Sequence, residues 1–442
     1  MSSALWLRVA LYALVGMSAF SILGIEVATV ALMWGAIFHT WMGRAEAVPP
    51  RFVVLPFVVF GLTLVISTVA SEAPLASFGA LLGNYRIYLP FAVLPALFVA
   101  DVRVLLRVLV ICIALSALYG FIQYFAGVDW FREEGEKLVR PSMIEGAGVF
   151  HAKGTFSHHL TYAGFMLINV PLFLALAILD RTRDRPVWIA GGVCAAAAIV
   201  VSMGRSGLLG AMIGCGVLTL MLPRRRSVPI LLAAATSLAV VILAMSTGWL
   251  QERLSHPDNP VILKRILSSS PFNDRDRLFL WEAGWLGFVD HAVVGIGLGN
   301  ERTDFGQYRE IVAERHGGHQ YMNSPAAGVH NVFLHVAYCL GTLGFAAFGW
   351  MFYAIFRYCA TGIRSAGDAR PFECALLWGA AGGLVGILAA GFFENNYFDA
   401  EVQNMVGIAI GLALFAGSKI AISKRTQPER AQADPSLVRS PQ

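Results

Sequence analysis

A histidine and an asparagine, His330-Asn331, stand at the head of a strongly apolar stretch, residues 326–345. Ser324 and Pro325 predict an N-cap and a first helical residue, which would set His330 in the second turn of a long helix. The positive end of the helix dipole and partial burial both disfavour imidazolium there, so the ring is expected to accept a proton, as a general base must. The competing reading is a histidine that merely hydrogen-bonds at a helix start. Asn331 beside it could support the base or touch an acceptor, whereas His335 faces elsewhere and reads as packing.

Four arginines suit an anionic partner. Arg205 lies between two apolar runs, in Ser202-Met203-Gly204-Arg205-Ser206-Gly207, and Arg86 follows Gly83-Asn84-Tyr85 a turn or two inside the end of another run. A guanidinium binds phosphate through a planar fork, and charge inside an apolar run is a functional candidate by default; snorkelling to headgroups is the alternative for both. Arg277 opens a segment whose Leu278, Trp281, Trp285 and Phe288 share one face at helical spacing, with Asn273 or Asp274 as its cap. Such an aromatic helix suits a membrane interface and would hold Arg277 and Trp281 at headgroup depth. Arg265, with Lys264, follows the apolar anchor Val261-Ile262-Leu263.

Metal chemistry finds little purchase. The Asp274-Arg275-Asp276 triplet is neutralised by its own arginines, and no cysteine or shared helix face joins His151, His158 and His159 to His316 and His319. No phosphate-cradling P-loop and no Gly-x-Ser-x-Gly elbow occurs.

The elements that must position these groups are membrane helices. Of 442 residues, 57% are hydrophobic and 14% charged, with mean hydropathy +0.65, more apolar surface than one soluble core could bury. About twelve spans are expected, near 5–23, 25–42, 52–70, 80–100, 104–126, 160–179, 187–203, 206–223, 228–248, 328–356, 372–393 and 402–422. The net charge of +5 reads as a topology signal, because Arg44, Arg51, Arg103, Arg107, Arg181, Arg183, Arg185, Arg224, Arg225, Arg226, Arg357, Arg364 and Arg370 fall in alternate loops. The short turns on the other side hold only Arg205 among basic residues, so both termini are expected to be cytoplasmic. Two long outer segments, 127–159 and 249–327, are expected to be functional, the second containing two helices, the latter near Thr303 to Arg315 after the Gly295-Ile296-Gly297-Leu298-Gly299 break. Residues 1–425 read as one membrane domain and 426–442 as a disordered tail. The six cysteines all lie in apolar runs and imply no disulfide framework.

In order along residues 145–350, these landmarks resemble the O-antigen ligase and polymerase superfamily of bacterial envelopes. Lys153-Gly154-Thr155-Phe156 is similar to its Gly-Thr-Phe segment, and Ser202 to Gly207 to its Ser-x-x-Arg-x-Gly turn. Arg277 to Trp281 followed by Gly295 to Gly299 resembles its Arg-x-x-x-Trp and Gly-x-Gly-x-Gly stretch, and His330-Asn331-x-Phe333-Leu334 with Gly341 and Gly344 its His-Asn helix. The second histidine of His158-His159 departs from the family's usual pair.

The resemblance implies a helical glycosyltransferase of the GT-C type, in the bacterial inner membrane, with its site on the periplasmic face. It would invert the anomer, use no metal or cofactor, and move O-antigen glycan from undecaprenyl diphosphate to lipid A-core oligosaccharide. His330 would be catalytic and Arg205, Arg265, Arg277 and Arg86 would bind the diphosphate, with Asn331, Lys153 and Trp281 in support. The chain is expected to work as a monomer among membrane lipids, without nucleic acid. Rival expectations are an O-antigen polymerase or protein O-oligosaccharyltransferase of the same superfamily and, from another class, a lipid-linked glycan flippase. Polar residues gathered at one face, rather than near mid-bilayer, favour an enzyme over a flippase. Glu394, Asn395, Asn396 and Tyr397 in the last outer turn could line an acceptor cleft or simply solvate a turn.

Overall fold

Apolar runs of this length must satisfy their backbone internally, and they do so as helices. The computed structural model describes residues 2–130, 150–221, 271–318, 328–366 and 369–433, and these are all-helical with no β-sheet. In chain order the helices are α1 (Ser3–Met17), α2 (Ile22–Trp41), α3 (Arg51–Ala70), α4 (Pro74–Gly83), α5 (Leu89–Val99), α6 (Val102–Ala126), α7 (His159–Leu179), α8 (Arg185–Ser202) and α9 (Arg205–Met221). After them come α10 (Pro271–Asp290), α11 (Glu301–Arg315), α12 (Val332–Ala366), α13 (Pro371–Ala390) and α14 (Ala400–Ala433).

Among the described residues nine helices are long and apolar enough to cross a membrane, α4 and α5 counting as one passage, and Ser3–Met17 and Arg205–Leu220 are shorter apolar helices. The chain is a multi-pass membrane protein. The expected span at 228–248 lies outside the described residues, as does Arg265.

Several boundaries differ from the sequence expectation. The first break falls at Ser18–Ser21, not at Gly24-Ile25-Glu26, because the Ser21 hydroxyl accepts from the Gly24 amide at 3.0 Å and caps α2. The passage expected to begin at residue 80 starts at Pro74 and is interrupted by a short 3-10 turn, Asn84–Tyr88, that carries Arg86. Helix α14 continues to Ala433, past residue 426 where a tail was expected.

The alternation of passages gathers the basic loops at one end of the bundle. There Arg103 grips Asp180 with both guanidinium nitrogens (2.6 and 3.2 Å), Arg107 reaches Asp184 at 2.5 Å, and the Trp188 indole donates to Asp180 at 2.9 Å. Burial pushes the Asp180 carboxyl up, but the Arg103 and Trp188 hydrogen bonds outweigh it and hold it below the usual range. The middle of the bundle is packed through small residues. Gly210 and Gly214 of α9 abut the Gly386 and Gly382 carbonyls of α13, close enough that any side chain would collide.

Helix α12 is broken at Gly341, whose φ of +65° is left-handed. The break is filled by the arch that follows α10. The amides of Ile296 and Gly297 donate to the carbonyls of Tyr338 and Cys339 (3.2 and 2.9 Å), while those of Thr342 and Leu343 donate to Ala292 and Val293 (2.8 and 3.3 Å). The glycine-rich arch thus restores the hydrogen bonds that an interrupted helix in an apolar setting would otherwise lose. It also fixes α10 and α11 against the end of the bundle opposite the Arg103 cluster.

The two helices expected in the second long outer segment are α10 and α11. Helix α10 buries Phe279, Leu280 and Ala283 on the bundle and leaves Leu278, Trp285 and Val289 more than half exposed, the disposition of a helix resting at an interface. It begins at Pro271, ahead of the expected Asn273 or Asp274 cap, and α11 begins two residues before Thr303.

Candidate functional site

His330 lies before α12, not in its second turn as the sequence suggested, and adopts a left-handed conformation with φ 49°. Asn331 explains this: its Oδ1 accepts from the amides of Phe333 and Leu334 (2.9 and 3.0 Å), so Asn331 is the cap and the helix starts one residue later. Its Nδ2 donates to the Phe392 carbonyl at 3.1 Å, and the Val332 amide donates to Gly391, tying the head of α12 to the turn after α13. The predicted cap at Ser324 lies outside the described residues.

That turn delivers Glu394. Its side chain is 3% exposed, and its two oxygens are divided between two partners: Oε1 accepts from Arg277 Nη2 at 2.5 Å and Oε2 lies 3.3 Å from His330 Nδ1. A carboxylate can only accept, so the ring atom facing Glu394, Nδ1, is the one that carries a proton, and in the neutral ring the acceptor is Nε2. The imidazole and the guanidinium are each about one-third exposed, with a buried carboxylate holding both. Trp281 sits one turn along α10 from Arg277 and packs on Phe393 with ring centroids 6.2 Å apart; its indole Nε1 is buried without a hydrogen-bond partner. Val329, next to His330, fills the gap left by Gly284 of α10.

The other predicted residues distribute as follows. Arg205 opens α9, and the preceding Gly204 rests on Leu160 and Ala163 of α7. Asn396 donates to the Leu160 carbonyl at 3.1 Å, so Gly204 and Asn396 both meet the first turn of α7. Lys153 is at that end too, but it pairs with Asp129 at 2.7 Å. Arg86, its side chain 10% exposed, is ion-paired with Glu26, and the Tyr85 hydroxyl donates to Glu26 at 2.5 Å. The structure therefore joins His330, Asn331, Arg277 and Trp281 in one place, has Arg205 at the same end of the bundle, and sets Arg86 and Lys153 on carboxylate partners of their own.

Glu394 is the residue that sequence reasoning left undecided. The available signal was an acidic turn without basic residues, on the side where His330 and Arg205 were expected. Among the described residues no group of three or more His, Cys, Asp or Glu is placed to hold a metal ion.

A second carboxylate of the turn, Asp399, accepts from the Thr161 hydroxyl at 2.6 Å. Burial, with added repulsion from Glu401 and Glu394, pushes its pKa up to about 7. A folded-state value above the unfolded one means stability that is full below about pH 4 and is lost as pH rises through 7. The melting temperature of the purified protein is therefore expected to fall between pH 5 and 8. In Asp399→Asn, which keeps an acceptor for Thr161, that part of the slope should vanish and stability at pH 8 should rise.

Residues 190–349 match the family described as O-antigen ligase. Over that segment the chain is similar to the O-antigen ligase family. The segment carries Arg205, Arg277, Trp281, the glycine arch, His330 and Asn331. The family implies a glycosyltransferase-like enzyme of lipopolysaccharide assembly in a membrane bundle. Glu394, by contrast, lies beyond the matched stretch. No curated protein matches the chain.

Proposed function

We propose that the protein is a metal-independent, inverting GT-C glycosyltransferase that passes O-antigen glycan from undecaprenyl diphosphate to lipid A-core oligosaccharide at the periplasmic face of the inner membrane. The observation that carries this reading is Glu394, which holds a proton acceptor and a phosphate-type cation on one carboxylate. His330 Nε2 takes the proton from an acceptor hydroxyl as its oxygen attacks the anomeric carbon. The carbon–oxygen bond to the diphosphate breaks, and its electron pair leaves on the phosphate oxygen. Arg277, with Arg205 and Arg265, offsets the charge that grows there; Arg86 is the outlying member of the set. Glu394 keeps the Nδ1–H tautomer and aims both partners. The arginine-rich loops at the opposite end support a cytoplasmic location for that end and for both termini.

Purified protein in lipid nanodiscs, given labelled lipid-linked glycan and lipid A-core without ATP or added metal, is expected to transfer the label. Growth of glycan on glycan instead would assign a polymerase, and no transfer to any acceptor would end the enzymatic reading. In the same assay Arg277→Lys is expected to lose at least tenfold in rate despite retained charge, because an ammonium cannot keep one fork on Glu394 and offer another to the diphosphate. Near-normal transfer by that variant would remove Arg277 from the site.

A further inference from the structure

A polar cavity of about 350 Å³ opens between the end of α3 and the arch, apart from the His330 site. It is lined by Ser71, Glu72, His291, Asn300, Thr303 and Asp304. The volume falls in the range of small-ligand sites. The lining is rich in acceptors and holds one basic side chain, His291, so an anionic phosphate is a poor occupant.

Asn300 is the informative residue. It is 6% exposed, and its Nδ2 is used up by the Ser71 hydroxyl, the Ser77 hydroxyl at 3.0 Å and the Ile296 carbonyl at 2.7 Å. Its Oδ1 is buried with no partner, and leaving an acceptor so costs about 1–3 kcal/mol unless something donates to it. Asp304 is held by the Tyr338 hydroxyl at 2.5 Å and by Gln307 at 2.6 Å, so the wall is fixed in place, while Glu72 is exposed at the mouth. Behind the wall, burial and the carboxylates of Asp290, Asp304 and Glu72 push the Tyr308 phenol up, a sign of the local negative potential.

We propose that this cavity binds an uncharged sugar ring of the glycan chain, whose hydroxyls donate to Glu72, Asp304 and Asn300. The choice of a sugar rests on the glycosyltransferase reading above. Tyr338 lies eight residues after His330, roughly 10 Å along α12, so a ring held here would belong to the same saccharide a few units from the reacting carbon. The donor glycan and the acceptor core share this chemistry, and the test separates them.

Full-length protein in nanodiscs is titrated calorimetrically with delipidated O-antigen glycan, with delipidated, dephosphorylated core oligosaccharide and with calcium chloride. The wild type is expected to bind one of the two glycans, and Glu72→Ala and Glu72→Ala/His291→Ala to bind it at least tenfold more weakly with unchanged melting temperature. The glycan affected identifies the source. Binding of neither glycan by the wild type, equal glycan binding by the variants, or a change confined to calcium would overturn the proposal. The His330→Ala protein serves as the second background. It should bind glycan normally whether or not it transfers, so a failure of the catalytic reading and a failure of this site remain distinct.

Discussion

Replacing His330 by alanine is expected to abolish glycan transfer while leaving expression, melting temperature and lipid-carrier binding intact. The residue stands outside the helix, is about one-third exposed and is held through Nδ1 by Glu394. Its removal therefore costs the fold little. A positioned general base contributes roughly 10²–10⁴ in rate, and the arginines would still hold the diphosphate, so the expected signature is a collapse of kcat with donor affinity preserved. Glu394→Gln is the informative companion. An amide can offer its nitrogen to Nδ1 and select the wrong tautomer, and it no longer neutralises Arg277, so both kcat and donor affinity should change. If His330→Ala transfers glycan at near wild-type rate in single-turnover measurements, the imidazole is a structural cap neighbour and the proposed chemistry has no base.

The largest effect on the fold is expected at the glycine arch. Gly295 has φ +69°, and a methyl on it would overlap the carbonyl carbon and oxygen of Cys339; Gly341 has φ +65° and stands in the same relation to Val293. Both neighbours are backbone, held by the hydrogen bonds that cross the break in α12, and cannot step aside. Gly295→Ala and Gly341→Ala are each expected to lose most folded protein, a cost of several kcal/mol combining left-handed strain of about 1–2 kcal/mol with the overlap. Gly43→Ala is the control. Gly43 has φ +67° with nothing near its missing side chain, so it carries the backbone strain alone and should remain well expressed. Gly297→Ala should fall between them, because its obstacles are the side chains of Ser77 and Ser71 rather than backbone. Fluorescence-detected size exclusion of the four variants measures the order directly. Equal behaviour of Gly295→Ala and Gly43→Ala would mean that the arch does not close the break.

Much of the architecture was legible locally. Apolar runs of sufficient length have to be helices in lipid, and the alternation of arginine-rich and arginine-poor turns sorts the two ends of the bundle, since both depend only on residue type and chain order. His330, Arg205 and Arg277 could be named because an ionisable group beside an apolar run demands a reason. Other features were set by partners distant in the chain. Glu394 reaches Arg277 across 117 residues and His330 across 64, and nothing within either segment specifies that meeting. The sequence pointed to Ser324 as the cap of the His-Asn helix; in the bundle Asn331 caps α12, with its amide held by the Phe392 carbonyl. The break at Gly341 likewise exists only because the arch supplies donors and acceptors to heal it. Periodicity is written into each helix by its own residues; a shared carboxylate or a mended break is decided by which surfaces the packed bundle brings within hydrogen-bond reach.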